Sequence, residues 1–324
     1  MKNTSRIFLV IFLVILMAII LTAQVYFVYK LNKIYKRADE AIKFTLTNNL
    51  ACPEQKGALL CAFKDRDLPE PETTDSELTL SKYAANLVGK LEFKHKAPLP
   101  VSLEIYYNDT LFGWVLNGKN ALYVVYRGTR TLEEWGKDFS YYQNKDFASK
   151  VVAEKNAGAK QRAFMPVQDG VSMGAGGSEV MVHQGFLDVY NSFKDAVMKK
   201  LNEGESKPVL ITGHSLGSAV ATLNGVDLTL GGRQNKSIVF ASPKVGNTAF
   251  ADLLNGRVDL LKWTNTSDVI PTMPYSVSPN FKDPGDPYFF THGGDTNFFT
   301  LNNKSLVNNH GIQTYIEAMD EIKA

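Results

Sequence analysis

Cysteine is scarce in this chain, and no residue spacing typical of a metal site is present. Only Cys52 and Cys61 occur among the 324 residues, and neither lies in a Cys-x-x-Cys or Cys/His pattern. A zinc site is therefore not expected. The two thiols would pair in an oxidising compartment and stay free elsewhere, and the sequence leaves both states open.

An excess of one charge, internal repeats and low-complexity tracts are also missing. The chain has 35 Lys and Arg residues against 33 Asp and Glu, and its one basic cluster is a short one at residues 30–37. A nucleic-acid partner is therefore not expected. With 44% hydrophobic and 21% charged residues, the composition indicates an ordinary globular protein with one large domain of about 250 residues.

One long hydrophobic run lies near the N-terminus. Residues 7–28 are apolar apart from Thr22 and Gln24, and about 22 such residues span roughly 30 Å as a helix. The run predicts an N-terminal transmembrane helix over residues 1–29. The alternative is a cleaved signal peptide, but its hydrophobic part is usually only about 7–15 residues long. The best cleavage position also has a bulky leucine where a small residue is preferred.

Residues 30–74 are expected to form a juxtamembrane helix and a linker. Apolar residues recur at helical spacing from Leu31 to Ile42, although an ordinary helix packed on the domain would show the same pattern. Residues 67–74 hold two prolines and several acids, which is typical of a linker. Thr74 and Glu77 have the spacing of a capping box, so the globular domain is assigned to residues 75–324.

From residue 101 onward, short β-type runs give way to strands that alternate with helices. This order predicts an α/β fold with a mostly parallel central sheet flanked by helices, after an opening meander. Functional side chains should then collect at the carboxyl ends of the strands. Strands are expected at 101–107, 112–116, 121–126, 180–182, 209–212, 237–241 and 260–265, and helices at 186–202 and 314–322.

A candidate nucleophile follows one of these strands directly. Residues 213–217 read Gly-His-Ser-Leu-Gly, and a helical pattern comes after them. The two glycines permit a sharp strand-to-helix turn that raises the hydroxyl of Ser215 above the sheet. In such an elbow, the backbone N–H of Leu216 is placed to stabilise an oxyanion.

A serine hydroxyl needs a base near neutral pH, and the base needs an acceptor that orients it. In an elbow enzyme both partners follow the serine in the chain, and only His292 and His310 do so. We favour His310, in a polar loop before the last helix, because His292 lies among aromatics as a packing histidine would. Asp268, just past the strand at 260–265, is the candidate acid, and a turn-capping aspartate is the alternative.

A second oxyanion donor should come from another loop at a strand end. Residues 126–129 (Tyr-Arg-Gly-Thr) end a strong strand and carry small residues, so Thr129 is the candidate. A simple turn after an edge strand would have the same composition.

Together, these motifs resemble the fungal-type (class 3) lipases, a branch of the α/β-hydrolase fold. Five motifs in the family's order cover roughly residues 100–320, and their order makes the resemblance specific. They are residues 124–129 (Val-Val-Tyr-Arg-Gly-Thr), 182–186 (Val-His-Gln-Gly-Phe), 211–219 (Ile-Thr-Gly-His-Ser-Leu-Gly-Ser-Ala), 240–247 (Phe-Ala-Ser-Pro-Lys-Val-Gly-Asn) and 265–271 (Asn-Thr-Ser-Asp-Val-Ile-Pro).

The resemblance implies a role for each candidate residue and adds a lid. A short helix after the oxyanion loop often covers the site in this family, and residues 132–135 match it, with Trp135 as the apolar side chain. A buried tryptophan on an ordinary helix is the alternative. The implied roles are nucleophile for Ser215, base for His310, orienting acid for Asp268, oxyanion donors for Thr129 and Leu216, and structural for His183 and His292.

The sequence thus predicts a membrane-anchored serine ester hydrolase that cleaves acyl esters of lipids through an acyl-enzyme, without a cofactor or metal. A phospholipase, thioesterase or acyltransferase on the same fold is an alternative, as is an inactive membrane-anchored binding domain. The sequence holds opposing signals for the side of the membrane on which the catalytic domain lies. Two cations before the hydrophobic run and four after it favour a cytoplasmic domain, whereas the short basic N-terminus and the cysteine pair favour an extracytoplasmic one, which we expect.

Overall fold

The computed structural model describes residues 63–129, 143–144, 180–203, 207–278 and 287–322. All of these lie in one compact unit, which begins after residue 49. The expected transmembrane helix, both cysteines and Trp135 lie outside the described residues and stay predictions. Within the described ranges, no helix is both long and apolar enough to cross a bilayer.

The core of the fold is a seven-stranded sheet whose strand order in space is β1-β2-β3-β6-β7-β8-β11. The first three strands form the expected antiparallel meander, and the remaining neighbours, from β3 to β11, are parallel. The strands are β1 (Val101–Tyr107), β2 (Thr110–Asn117), β3 (Leu122–Tyr126), β6 (Val209–His214), β7 (Asn235–Phe240), β8 (Leu260–Asn265) and β11 (Asp295–Phe299).

Two short strand pairs lie outside this sheet. One joins β4 (Gln143–Asn144) to β5 (Val182–His183), and the other joins β9 (Val277–Ser278) to β10 (Tyr288–Phe289). The helices are α1 (Glu77–Glu92), α2 (Gln184–Asn191), α3 (Lys194–Glu203), α4 (Leu216–Leu230), α5 (Thr248–Arg257), α6 (Leu306–His310) and α7 (Ile312–Glu321), and residues Ile270–Thr272 form one 3₁₀ turn.

Helices cover both faces of the sheet, because successive side chains of a buried strand point to opposite sides. In β3, Val124 and Tyr126 pack with α2 to α5, whereas Tyr123 and Val125 pack with α1 and α7. The carboxyl ends of β3, β6, β7 and β8 therefore lie along one edge between two apolar layers. This edge is where the α/β architecture is expected to hold its functional groups.

The helix boundaries correct the sequence prediction in two places. The first helix is capped by Ser76, whose hydroxyl accepts from the backbone N–H of Thr79, so the cap lies two residues beyond Thr74. The helix expected at 186–202 is two helices, because the Ser192 hydroxyl bonds back to the carbonyl of Val189 and ends the first. Phe193, between the two helices, turns inward and packs on aromatic rings of β2 and β3.

The segment before α1 is held against the sheet by side-chain hydrogen bonds. The carboxylate of Glu70 accepts from the backbone N–H groups of Lys119 and Asn120, at 2.8 and 2.9 Å, and from the Tyr123 hydroxyl at 3.2 Å. Residues 67–74, expected to be a linker, thus contact the turn between β2 and β3.

Candidate active site

Ser215 stands at a strained turn between β6 and α4. Its backbone has φ 54° and ψ −124°, a conformation that a residue with a side chain rarely adopts. The flanking glycines make the turn possible, since a Cβ on Gly213 would lie 2.2 Å from the carbonyl oxygen of Gly217. A Cβ on Gly217 would lie 2.4 Å from the carbonyl oxygen of Arg127. The elbow predicted from the glycine spacing is therefore present, and it is tightly packed against the end of β3.

The structure brings the three expected side chains into one hydrogen-bonded chain. The Nε2 atom of His310 lies 2.8 Å from the Ser215 hydroxyl, and its Nδ1 atom lies 2.8 Å from Oδ2 of Asp268. Asp268 follows β8, and His310 ends α6, so each reaches the elbow from a different loop. The Asp268 side chain is fully buried, whereas that of His310 is 13% exposed. The imidazole is thus partly accessible, whereas the carboxylate behind it is not.

Further hydrogen bonds fix the Asp268 carboxylate, and the sequence analysis missed one of their donors. Oδ1 accepts from the backbone N–H of Ile270 at 2.9 Å. Oδ2 accepts not only from His310 but also from the hydroxyl of Tyr315, at 2.8 Å. Tyr315 lies five residues after His310 on the buried face of α7. This position shortly after the candidate base is the sequence signal that could have identified Tyr315.

Two asparagines tie the acid loop to the histidine loop, and these were also missed. The amide of Asn265 donates to the carbonyl of Asn309 at 3.0 Å, and the amide of Asn309 donates to the carbonyl of Ser267 at 3.1 Å. Both asparagines are buried. These hydrogen bonds join the two loops. The distance between Asp268 and His310 is therefore fixed by the joined loops and not only by the two side chains.

The candidate oxyanion donors lie on the two chain segments that meet at Ser215. Leu216 begins α4, where the first backbone N–H groups have no acceptor within the helix. Thr129 is buried in the loop after β3, and Gly128 beside it approaches the elbow closely. A Cβ added to Gly128 would lie 3.1 Å from the Cβ of Ser215. The loop and the elbow are thus adjacent, and the role of Thr129 and Leu216 as oxyanion donors stays a prediction.

The other histidines in the core do not join this chain. The Nε2 atom of His292 donates to the carbonyl of Pro271 at 2.7 Å, and burial, with the charges of Lys262 and Lys244, lowers the pKa of His292 to about 4. His183 is fully buried, and both of its ring nitrogens lack a hydrogen-bond partner among the described residues. Burial lowers the pKa of His183 to about 3. Neither side chain contacts Ser215 through a hydrogen bond in the described part of the chain.

No metal site is evident among the described residues, where no group of three or more His, Cys, Asp and Glu side chains is arranged to hold an ion. The groups that can do chemistry at this edge are a serine hydroxyl, an imidazole, a carboxylate and backbone N–H groups. Such a set supports nucleophilic attack with proton transfer.

Comparison with known proteins relates this site to a family. The model of the family "Lipase (class 3)" matches residues 123–278, which run from β3 through the elbow and Asp268 to β9. This chain is similar to the class 3 lipases over just under half of its length. The match confirms the resemblance seen in the motifs.

Similar class 3 lipase relatives come from plants and fungi. Phospholipase A1-II 1 of Oryza sativa subsp. indica is 30% identical over 208 residues, covering 52% of this chain and 47% of the relative. Secreted mono- and diacylglycerol lipase A of Penicillium cyclopium is 35% identical over 95 residues, covering 28% of this chain and 31% of the relative. The chain thus spans less than half the length of these relatives.

The fold is shared with a solved structure, that of the mono- and diacylglycerol lipase from Aspergillus oryzae. The TM-score is 0.50 at 17% identity, and the similarity covers 70% of this chain and 81% of the other. The likeness confirms the α/β lipase fold with its mostly parallel sheet flanked by helices.

Proposed function

We propose that this chain, which is similar to the class 3 lipases, is a serine carboxylic-ester hydrolase that cleaves acyl esters of lipids. The observation that carries the proposal is the continuous hydrogen-bonded chain from Ser215 through His310 to the buried Asp268 at a strained elbow. A serine held only for packing would have no need of a histidine on its hydroxyl or of positive φ.

Each group has a role in the proposed reaction. His310 accepts the proton of Ser215 at Nε2 while the serine oxygen attacks the ester carbonyl. Asp268 holds the imidazole with Nδ1 protonated, which leaves Nε2 free to act as the base. The backbone N–H groups of Leu216 and Thr129 stabilise the negative charge on the carbonyl oxygen, and losing one such donor costs about 3 kcal/mol of barrier.

The acyl-enzyme then forms in two proton transfers. His310 gives its proton to the departing alcohol oxygen, the carbon–oxygen bond breaks, and the acyl group stays on Ser215. Water activated by the same imidazole attacks the acyl carbonyl and releases the carboxylic acid with the serine restored. No cofactor has to supply an atom in these reaction steps.

The similar proteins support a lipid as the substrate of this enzyme. The plant relative is a phospholipase A1 and the fungal relative is a mono- and diacylglycerol lipase, and the substrates in both names are acyl esters of glycerol. We therefore propose glycerolipid acyl esters as the substrate class, with phospholipids as the second candidate beside acylglycerols. A thioesterase or acyltransferase would use the same acyl-enzyme and differ only in the group bound to the acyl chain or in the acceptor.

The test is hydrolysis and covalent labelling by the full-length chain in detergent. Wild type is expected to hydrolyse nitrophenyl esters and at least one glycerolipid, and to react with a fluorophosphonate probe. Ser215→Ala should lose both properties. Ser242→Ala is the matched control, because Ser242 is also a buried serine at a strand end but bonds only to the carbonyl of Pro243 among the described residues. Labelling of Ser215→Ala at the wild-type rate would refute the nucleophile assignment.

We further propose that residues 7–28 anchor the enzyme in a membrane, with the catalytic domain on the extracytoplasmic side. The support is the length and apolarity of that run, together with a lipid substrate that a bilayer would supply. Extraction of membranes with alkaline carbonate is expected to leave the full-length chain in the pellet. Protease added to intact cells should then cleave the domain, and recovery of the chain in the soluble fraction would contradict the anchor.

A further inference from the structure

A second acid–histidine pair lies directly behind the candidate nucleophile. Glu92 is the last residue of α1, and its side chain is fully buried. Its Oε1 atom accepts two hydrogen bonds, one from the backbone N–H of Gly128 and one from Nδ1 of His214, both at 2.8 Å. One carboxylate oxygen thus holds the oxyanion loop and the residue that precedes Ser215.

Beside an ionised Glu92, the surroundings of His214 favour a proton on both of its ring nitrogens. Nδ1 faces the Glu92 carboxylate, and Nε2 lies 2.7 Å from the backbone carbonyl oxygen of His310. When Glu92 is ionised, both neighbours are acceptors at these positions, so only the imidazolium satisfies both contacts. The pair is then a buried cation beside a buried anion.

The charges support each other against the cost of burial. Burial disfavours the charged form of both side chains, yet the His214 imidazolium and its hydrogen bond hold the pKa of Glu92 below its usual value. The Glu92 carboxylate in turn raises the pKa of His214. Other groups that face His214 are the rings of His310 and Tyr315, and the charge of Asp268 also acts to raise the pKa of His214.

The pair connects the three parts of the site that must stay in register. It binds the oxyanion loop through Gly128, belongs to the elbow through His214, and reaches His310 through the backbone carbonyl. The ring centroids of His214 and His310 are also 4.7 Å apart. A charged hydrogen bond is stronger than a neutral one, so this arrangement fixes these parts more firmly than packing alone.

The cost of the carboxylate argues for a role beyond stability. The second oxygen of Glu92, Oε2, is buried without a hydrogen-bond partner among the described residues. A buried carboxylate with one unpaired oxygen is less favourable than an apolar or neutral side chain of similar size. A purely structural site would have no need of the charge.

We propose that Glu92 and His214 are positioning residues for the reaction: their charged pair holds the oxyanion loop and the His310 backbone at fixed positions around Ser215. This inference rests on the proposed hydrolase function. Neither side chain transfers a proton to the substrate. Their effect is on how well the oxyanion donors and the base are aligned when the ester carbonyl is attacked.

Glu92→Gln is the informative variant, because it keeps the size of the side chain and removes the charge. Neutral His214 can protonate only one nitrogen. Either the glutamine oxygen keeps the Gly128 N–H and Nδ1–H while Nε2 loses the His310 carbonyl, or the glutamine NH₂ turns to donate to Nδ1 and the Gly128 N–H loses its acceptor. We expect kcat on a soluble nitrophenyl ester to fall about 10- to 100-fold with KM changed less than about threefold, since alignment acts on the transition state. His214→Gln should produce a similar loss.

The double variant separates a functional unit from two independent structural effects. If the pair acts as one device, Glu92→Gln combined with His214→Gln should be no slower than the worse single variant. Asn86→Ala is the matched control, since Asn86 is buried on the same helix and donates to the carbonyl of Arg66. It should lower stability without the kcat loss. If the kcat of Asn86→Ala falls in the same ratio to its loss of stability as the kcat of Glu92→Gln does, the proposal is overturned.

The protonation state is measured directly by ¹⁵N NMR of the five histidines, with His214 assigned from the spectrum of His214→Gln. Wild type should show both His214 nitrogens protonated at about pH 7.5, above the ordinary pKa of histidine near 6.5. Glu92→Gln should show one of them deprotonated. A neutral His214 in wild type would overturn the charged pair, even if a variant failed to fold.

Failure of this inference is distinct from failure of the proposed function. An active wild type with an inactive Ser215→Ala, together with a Glu92→Gln variant within twofold of wild-type kcat, would refute the positioning role alone. An active Ser215→Ala would refute the hydrolase mechanism. The NMR spectra would then still decide whether the charged pair exists.

Discussion

Asp268→Asn tests most directly the claim that the acid sets the tautomer of His310. Three donors converge on the carboxylate: the backbone N–H of Ile270 on Oδ1, and the His310 ring and the Tyr315 hydroxyl on Oδ2. Asparagine offers one acceptor oxygen. That oxygen should face Ile270, because a backbone N–H cannot reverse its role, whereas a hydroxyl and an imidazole can.

The NH₂ group of the asparagine then faces Nδ1 of His310. The imidazole responds by moving its proton to Nε2, the atom that lies 2.8 Å from the Ser215 hydroxyl. In that tautomer it cannot accept the serine proton. Because the shape of the side chain is unchanged, the structure should stay intact while kcat falls about 10⁴-fold, a rise in barrier of about 5 kcal/mol.

The assay is steady-state hydrolysis of a soluble nitrophenyl ester by purified wild type and variant, with urea unfolding as the check on folding. Tyr315→Phe is the control. It removes one charge-assisted hydrogen bond from Asp268 but keeps the tautomer, so the expected loss is tenfold or less, about 1 kcal/mol of barrier. A kcat for Asp268→Asn within tenfold of wild type, in a folded protein, would refute the assignment of Asp268 as the orienting acid.

Two further predictions concern packing and pH. Gly217→Ala should destabilise the protein by about 1–3 kcal/mol and reduce kcat, because its Cβ would press on the carbonyl of Arg127 at the end of β3. Gly256→Ala, where a Cβ would meet no described atom within 4 Å, should do neither in the same urea unfolding and ester assays. His183 has a pKa lowered by burial to about 3, so the unfolded chain binds more protons than the folded one between about pH 6.5 and 3. Stability should therefore fall as the pH falls through that window, by about 3 kcal/mol at about pH 4 from this group. His183→Leu should remove that part of the slope in urea titrations and leave the part due to His292, and an unchanged slope would contradict the reasoning.

The elbow and the order of its partners could be predicted from the sequence because their signals are local. An apolar strand, two glycines around Ser215 and a following helical pattern occupy one short stretch. Asp268 follows a predicted strand, and His310 is one of only two histidines after the serine. Parallel strands bring such loops to one edge regardless of how far apart they lie in the chain. The proximity of Ser215 and Asp268 therefore followed from the predicted sheet.

The strand and the helix that the sequence analysis did not predict have weak local sequence patterns. Strand β11 is a short edge strand whose side chains are partly or fully exposed, so it lacks the apolar run that marks an interior strand. Helix α5 has four buried residues among ten, and its start depends on the Asn247 side chain, which caps it by accepting from the backbone N–H of Phe250. Both are fixed by neighbours that the chain brings together from elsewhere: β11 pairs with β8, and α5 packs under the sheet.

Long-range polar partners could not be found from sequence patterns. Glu92 and His214 are 122 residues apart, and nothing near either residue indicates the other. A glutamate at the end of an amphipathic helix is normally solvated, and a histidine beside a nucleophile fits several structural roles. Only the tertiary structure shows that α1 ends directly behind the elbow.

The two acid–histidine pairs differ in the property that decides their use. His310 is 13% exposed beside a fully buried Asp268, so its imidazole can reach a substrate and exchange protons with water. His214 is 1% exposed beside a fully buried Glu92, and its ring nitrogens are both engaged by acceptors. A base must change its protonation state during each turnover, whereas a positioning charge must not. Accessibility therefore separates two chemically similar pairs, one able to cycle protons and one held in a single charged state.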